Sequence, residues 1–81
     1  MMMAQTLDQL EPHQGGIVTL VKAGPELVRR MSALGIRPGR RVEVIRRAPM
    51  GGPLQVRIGH TDLMIRREDA ARISIDNGLP S

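Results

Sequence analysis

The chain has 81 residues, no cysteine, no aromatic residue and a formal net charge of +4. This length has room for one small domain with a compact core. The absence of cysteine excludes a disulfide scaffold, a thiolate metal cluster and a cysteine nucleophile. No apolar run is long enough to span a membrane and the first residues do not resemble a signal peptide, so we expect a cytoplasmic protein.

The N-terminal third predicts a helical turn and then a strand. Thr6 and Gln9 have the spacing of a capping box, which predicts one helical turn over residues 7–10. The segment IVTLVK is rich in β-branched residues, and its residues Val18 and Leu20 alternate with a threonine. It predicts the first strand.

The segment GPELVRRMSALG predicts the one α-helix. Pro25 suits the first helical position, and Gly35 suits a left-handed C-terminus. Arg29 and Arg30 give the helix a basic outer side. Four apolar residues recur at helical spacing and form the stripe expected to dock on the core: Leu27, Val28, Met31 and Leu34.

Short strands and turns fill the rest of the chain. Ile36 is expected to plug the core before a turn at Pro38-Gly39, and the segment EDAAR allows one helical turn. The strand positions expected to be apolar and inward alternate with polar residues. They are Val42, Val44, Leu54, Val56, Ile58, Leu63, Ile65, Ile73 and Ile75.

These elements predict a mainly β fold. We expect a small antiparallel β-barrel in which consecutive strands form a meander, with one α-helix inserted after the first strand and short helical turns. Closure of the barrel would remove exposed strand edges. A single domain is expected over residues 6–76, between tails at residues 1–5 and 77–81.

The segment PMGGP raises the question of whether its glycines bind phosphate. A phosphate-binding loop opens a helix, whereas Gly51 and Gly52 precede a strand and Pro53 lacks a backbone N–H. We therefore interpret the pair as a turn in which both glycines adopt unusual backbone angles. The residues expected to shape turns are Gly35, Pro38, Gly39, Gly51 and Gly52.

Few residues could support catalysis or metal binding. His60 and Asp62 alternate and could act as an acid–base pair, although GHTD has the composition of a hairpin loop. A structural zinc site needs more ligands than the chain supplies. An adventitious metal site could use His60, Asp62 or His13. We expect no enzymatic activity and no cofactor.

Arginines crowd the middle of the chain, where Glu43 is the one acidic residue among them. They are Arg29, Arg30, Arg37, Arg40, Arg41, Arg46 and Arg47. This pattern is typical of a solvated surface or of a surface that binds an acidic partner. A nucleic-acid-binding barrel is the alternative function, limited to arginine stacking and phosphate contacts because there are no aromatic residues.

Two segments together resemble a known family: LVRRMSALGIRPGRRVEVIRRAPMGGPLQVRI and LMIRREDAARISI. Their order and spacing are similar to those of FeoA, a small cytosolic accessory protein of bacterial ferrous iron transport, over residues 6–76. Family members often have glycine after the proline that leads into the first strand, where this chain has His13. That difference puts a tight turn at His13 in question.

The resemblance implies an SH3-like fold and a non-enzymatic regulator of ferrous iron uptake. The implied partner is the cytosolic region of FeoB, a GTP-dependent permease, through its GTP-binding domain or adjacent helices. Neither GTP binding nor iron binding is carried over to this chain. We expect no stable nucleic-acid complex, membrane association only through FeoB, and at most weak self-association through a strand edge.

The docking residues expected from the resemblance combine arginines with an apolar centre. They are Arg29, Arg30, Arg46, Arg47, Met50 and Leu54. A methionine at the tip of a turn suits an adaptable contact, whereas core packing is the alternative role for Leu54 and Met50.

Overall fold

The computed structural model describes residues 5–76, which form six strands, two α-helices and a 3-10 turn. In chain order these are β1 (Gln5–Thr6), the 3-10 turn (Leu7–Gln9), β2 (Gly15–Val21), α1 (Pro25–Ala33), β3 (Arg41–Arg47), β4 (Leu54–Ile58), β5 (Thr61–Ile65), α2 (Arg67–Ala70) and β6 (Ile73–Asp76). The expected tails lie outside the described residues, except for Gln5, which pairs with Ile75.

The strands of residues 5–76 form one antiparallel sheet with the order β1-β6-β2-β3-β4-β5. Strands β2 to β5 pair consecutively, which confirms the expected meander. Strand β6 returns to pair with β2, and β1 adds to its other side. The predicted mainly β class is confirmed, with α1 inserted between β2 and β3. Within residues 5–76, β1 and β5 end the sheet without pairing with each other, so the expected closure that removes strand edges is not found.

The core is built from aliphatic side chains of the sheet and its connections. The alternation predicted for β4 is confirmed, because Leu54, Val56 and Ile58 are buried while Arg57 is exposed. Ile36 is fully buried, as expected. These aliphatic side chains fill the interior without the large aromatic residues that dominate many cores.

A bulge in β2 changes which side its residues face. The pairing of β2 with β6 shifts register between Val18 and Leu20. An extra residue in one strand reverses the alternation beyond it, so Val21 is buried and Leu20 is 47% exposed. The predicted first strand is confirmed, and the bulge places Val18 and Leu20 on different sides of it.

Helix α1 begins and ends where its sequence predicts. Pro25 occupies the first helical position, and Gly35 has a φ of +99° just after the C-terminus. Only Met31 of the expected stripe is buried, with Leu27 packed against the core at partial exposure. Val28 and Leu34 are 36% and 43% exposed, because this short helix contacts the core along one i, i+4 line. Their expected docking is wrong.

His13 stands at the centre of a tight turn with a φ of +73°. The N–H of Gln14 donates to the carbonyl oxygen of Glu11 at 3.0 Å, which closes the turn around Pro12 and His13. The N–H of His13 donates to the carbonyl oxygen of Val44 at 2.7 Å. The turn that was in question is thus formed, with His13 in a conformation that favours glycine.

The 3-10 turn is tied to the end of β3 by Arg47. Gln9 Oε1 accepts the backbone N–H of Thr6 at 3.1 Å, as expected for a capping box. Arg47 Nη1 donates to the carbonyl oxygens of Asp8 and Leu10 at 2.7 and 2.6 Å. These oxygens lie where the short helical turn ends, so a cation satisfies acceptors that would otherwise lack partners.

Candidate docking surface

The outer face of β3, β4 and β5 presents two rows of side chains, each row crossing all three strands. The strand register pairs the members directly: Glu43, Arg57 and Asp62 in one row, and Arg46, Gln55 and Met64 in the other. A register shift between Val44 and Arg46 places Arg46 on the outer face, in the second row. It sets Arg46 opposite Gln55 and leaves Arg47 opposite the buried Leu54.

The first row is an ion-paired polar ladder. Arg57 Nε donates to Asp62 Oδ1 at 2.7 Å and Arg57 Nη2 donates to Oδ2 at 3.1 Å. Gln55 Nε2 donates to the same Oδ2 at 3.1 Å. The hydrogen bond from Arg57 lowers the pKa of Asp62, and the same bond raises the pKa of Arg57. The carboxylate is therefore already satisfied within the chain.

The partners of Asp62 in this ladder decide whether it can act with His60 as an acid–base pair or a metal site. His60 lies in the exposed connection between β4 and β5, and Asp62 is bonded to Arg57 and Gln55 instead of to His60. Across residues 5–76, no group of three or more histidine, aspartate or glutamate side chains is placed to hold a metal ion. His13, His60 and Asp62 are thus not brought together.

An open groove of about 380 Å³ runs along the second row toward the β3–β4 connection. Its walls are mostly apolar, and Arg46 stands at its rim as an exposed cation with no carboxylate partner within residues 5–76. Apolar walls beside a charged rim suit a protein ligand better than bulk solvent. The lining residues are Arg46, Arg47, Ala48, Pro49, Pro53, Gln55 and Met64.

The β3–β4 connection displays Met50 at its tip. Met50 is fully exposed with a φ of +60°, and Gly51 follows with a φ of +73°. The N–H of Gly52 donates to the carbonyl oxygen of Pro49 at 3.2 Å, which closes a turn with two left-handed central residues. A non-glycine residue in that region costs free energy and is often found where function needs the side chain displayed.

The two glycines of this turn have different roles. Gly51 has the left-handed backbone that was expected, with the guanidinium of Arg67 3.3 Å from the position of a Cβ there. Gly52 does not have a positive φ, which corrects our expectation. Glycine is needed at Gly52 because a Cβ would stand 2.8 Å from the Cβ of Ala48. Its N–H is used inside the turn and is not free to bind phosphate.

The expected docking residues divide into displayed and structural ones. Arg46 and Met50 are exposed beside the groove. Leu54 is 1% exposed and belongs to the core, which corrects its assignment to a docking face. Arg47 lines the groove, but its guanidinium holds the 3-10 turn.

The groove includes residues that the sequence did not predict, and two predicted residues lie away from it. Arg29 and Arg30 are exposed on α1 and do not line the groove. Met64 was missed, although its place between Leu63 and Ile65 on an alternating strand was the signal that it points outward. Pro49 and Pro53 were interpreted only as turn residues, and they also form groove walls.

A second open depression of about 360 Å³ lies at the other end of the outer face. Its lining residues are Arg40, Arg41, Glu43, Arg57 and Gly59. Glu43 stands directly opposite Arg57, and Asp62 is ion-paired with Arg57. These carboxylates offset part of the positive charge, so the depression is less basic than its arginines alone indicate.

A family model described as the FeoA domain matches residues 5–77. No curated protein matches the chain. Within residues 5–76, no helix is both long enough and apolar enough to cross a membrane.

Solved structures share the fold over most of the chain. The FeoA protein of Chlorobium tepidum is 31% identical with a TM-score of 0.86, covering 95% of this chain and 73% of that one. A Stenotrophomonas maltophilia FeoA complexed with zinc is 32% identical with a TM-score of 0.77, covering 89% of each chain. It is described as a prokaryotic SH3 domain protein and a candidate ferrous iron transport activating factor. An iron uptake regulatory protein, FeoA, is 26% identical with a TM-score of 0.85 over 91% of this chain and 97% of that one. The expected SH3-like fold is confirmed.

Proposed function

The chain belongs to the FeoA family, and on this premise we propose that it is an accessory protein of ferrous iron transport. In this proposal it docks on the cytosolic region of the permease FeoB and regulates iron uptake without catalysing a reaction itself. The description of the Stenotrophomonas maltophilia relative as a candidate transport activating factor supports the transport role. The protein would act at the cytoplasmic side of the membrane and reach the membrane through FeoB.

The observation that carries the docking proposal is the display of Met50. Met50 is fully exposed, so it contributes no apolar burial to the fold, and its left-handed backbone costs free energy. A partner pocket that buries it would recover apolar burial. Arg46 and Arg67 flank the turn and favour an acidic surface around that pocket.

We define the docking face as the turn tip and groove formed by Arg46, Pro49, Met50, Pro53 and Met64. The exposed α1 arginines lie outside the groove lining. Docking would favour one nucleotide-dependent conformation of FeoB only if this protein bound that conformation more tightly than the others. The regulatory step is therefore a shift in the population of FeoB states, with GTP handled by FeoB.

Co-purification with full-length FeoB from membranes tests the proposal. Arg46→Glu should reduce recovery of FeoB at least tenfold, because the repulsive charge would lie against an acidic surface. The matched control is Arg37→Glu, which makes the same charge change at an exposed arginine outside both grooves. Ferrous iron uptake should fall with Arg46→Glu and not with Arg37→Glu.

The proposal fails if the unaltered protein recovers no FeoB and its deletion leaves iron uptake unchanged. Equal loss from both charge reversals would instead mean that net charge, and not the docking face, controls association. Arg47→Glu is avoided, because loss of its two main-chain hydrogen bonds would disturb the fold.

Nucleic-acid binding is a second candidate function, favoured by the depression lined by Arg40, Arg41 and Arg57. Phosphate contacts alone would give binding that weakens steeply with salt. Titration with duplex DNA and RNA at several salt concentrations checks it. No binding at low salt would remove this candidate, and it would leave the FeoB proposal unaffected.

A further inference from the structure

The two ends of the sheet offer very different edges. Strand β1 ends one side and, within residues 5–76, has two residues. Strand β5 ends the other side with five residues, Thr61–Ile65, that pair with β4 without a bulge. Natural edges are protected by shortness, bulges, proline or lysine, and β5 has none of these. Its one charged residue, Asp62, is neutralised by Arg57.

The register fixes which backbone groups of β5 face outward. Gly59, with a φ of +61°, and His60 connect β4 to β5, and the pair that closes this connection is Ile58 with Thr61. The closing pair of such a hairpin is hydrogen-bonded, and bonded pairs alternate along the ladder. The N–H and C=O groups of Asp62 and Met64 therefore point away from β4. Within residues 5–76, no strand pairs with them.

The side chains next to this edge supply a matching surface. Met64 is 64% exposed and shares the groove lining with Arg46. A strand added beside β5 would set an apolar side chain against Met64. Arg46, two strands away on β3, and the net charge of +4 would attract an acidic segment at longer range, whereas Asp62, held by Arg57, would offer no free charge to a basic one.

We propose that β5 is a docking edge that accepts an extended, acidic segment of a partner protein as an additional strand. This inference rests on the proposed function, because FeoB supplies the segment. Charge favours such a segment over a second copy of the chain, which would bring another Arg46 and a net charge of +4 to the same edge.

Hydrogen exchange of the full chain, alone and with full-length FeoB, tests the docking edge at single residues. In dilute protein alone, the amides of Leu63 and Ile65 should be protected and those of Asp62 and Met64 should exchange rapidly. With FeoB, exchange of Asp62 and Met64 should slow at least tenfold. Protection of these two amides in the protein alone would overturn the proposal, because a copy or a segment of the chain itself would then cover the edge.

A pair of variants isolates the backbone contribution. Met64→Pro and Met64→Ala both remove the methionine side chain, and only proline removes the outward N–H, a change that an edge strand can tolerate. Met64→Pro should bind FeoB at least tenfold more weakly than Met64→Ala. Equal affinity of two folded variants would contradict strand addition. If Met64→Pro does not fold, the exchange measurement on the unaltered chain decides.

The results separate this inference from the proposed function. Association with FeoB without any change at Asp62 and Met64 would overturn the docking edge and leave the proposed function standing. Absence of all association would remove both.

Discussion

The two sides of the β3–β4 hairpin use similar residues for opposite purposes. On the inner side, Leu54 is buried and Arg47 holds the carbonyl oxygens of the 3-10 turn. On the outer side, Arg46 is exposed along a groove that also includes Met64 of β5 and lies beside the displayed Met50. Residue type alone therefore does not identify the proposed docking face. The side of the strand decides, and a single register shift sets it.

The largest expected effect on stability comes from truncating a buried side chain on the inner side of the β3–β4 hairpin. Leu54→Ala should lower the free energy of unfolding by about 2–5 kcal/mol, because it leaves a cavity in a small core. Urea denaturation measures it, with Met64→Ala as the outer-side control, expected within about 0.5 kcal/mol of the unaltered protein. A loss below about 1 kcal/mol for Leu54→Ala would mean that this residue is not a core residue.

The neighbouring arginines give the sharpest contrast. Arg47→Ala should cost about 1.5–3 kcal/mol, the scale of hydrogen bonds made by a charged group. Arg46→Ala should change stability by less than about 0.5 kcal/mol. Thermal and urea denaturation of the two variants check this, and equal losses would contradict the division of the hairpin.

Arg46 and Arg47 show which features of the hairpin follow from its sequence and which do not. Alternation correctly predicts Leu54, Val56 and Ile58 as inward, because one face of the strand must be buried. No local pattern marks the bulges between Val18 and Leu20 or between Val44 and Arg46, since they depend on how each strand pairs with its partner. Tertiary pairing therefore separates Arg46 from Arg47.

In the turns, too, local sequence predicts some features and tertiary packing determines others. The left-handed backbone of Gly51 follows from residue type, whereas the need for glycine at Gly52 comes from its contact with Ala48. Left-handed His13 and Met50 could not be predicted, because glycine is the usual residue there.

His13 and Met50 both have a left-handed backbone, which strains a residue other than glycine. His13→Gly should stabilise the protein by roughly 0.5 kcal/mol, since relief of the left-handed conformation exceeds the added entropy of the unfolded chain. Met50→Gly should give a similar gain and should weaken FeoB binding. Denaturation and binding assays on both variants test this. Destabilisation by either glycine would refute the assignment of strain.

The smallest expected effect concerns the ion-paired row. The pKa of Asp62 is lowered in the folded protein, so its contribution to stability is complete above the unfolded pKa of about 3.9 and is lost as the pH falls through the lower folded value. An NMR titration of the Asp62 carboxyl should give a midpoint below that of an exposed aspartate. Asp62→Asn should remove this part of the acid dependence, and an unshifted midpoint would contradict the Arg57 pairing.

The affinity of full-length FeoB for two double variants tests the docking face most directly. Arg46→Glu with Met50→Ser alters the outer side of the β3–β4 hairpin, and Arg29→Glu with Arg30→Glu alters the exposed side of α1. The account predicts at least a tenfold loss for the first, equivalent to about 1.4 kcal/mol or more, and less than a threefold change for the second. Full affinity of the first variant, or a greater loss from the second, would contradict the docking face on the β3–β4 hairpin.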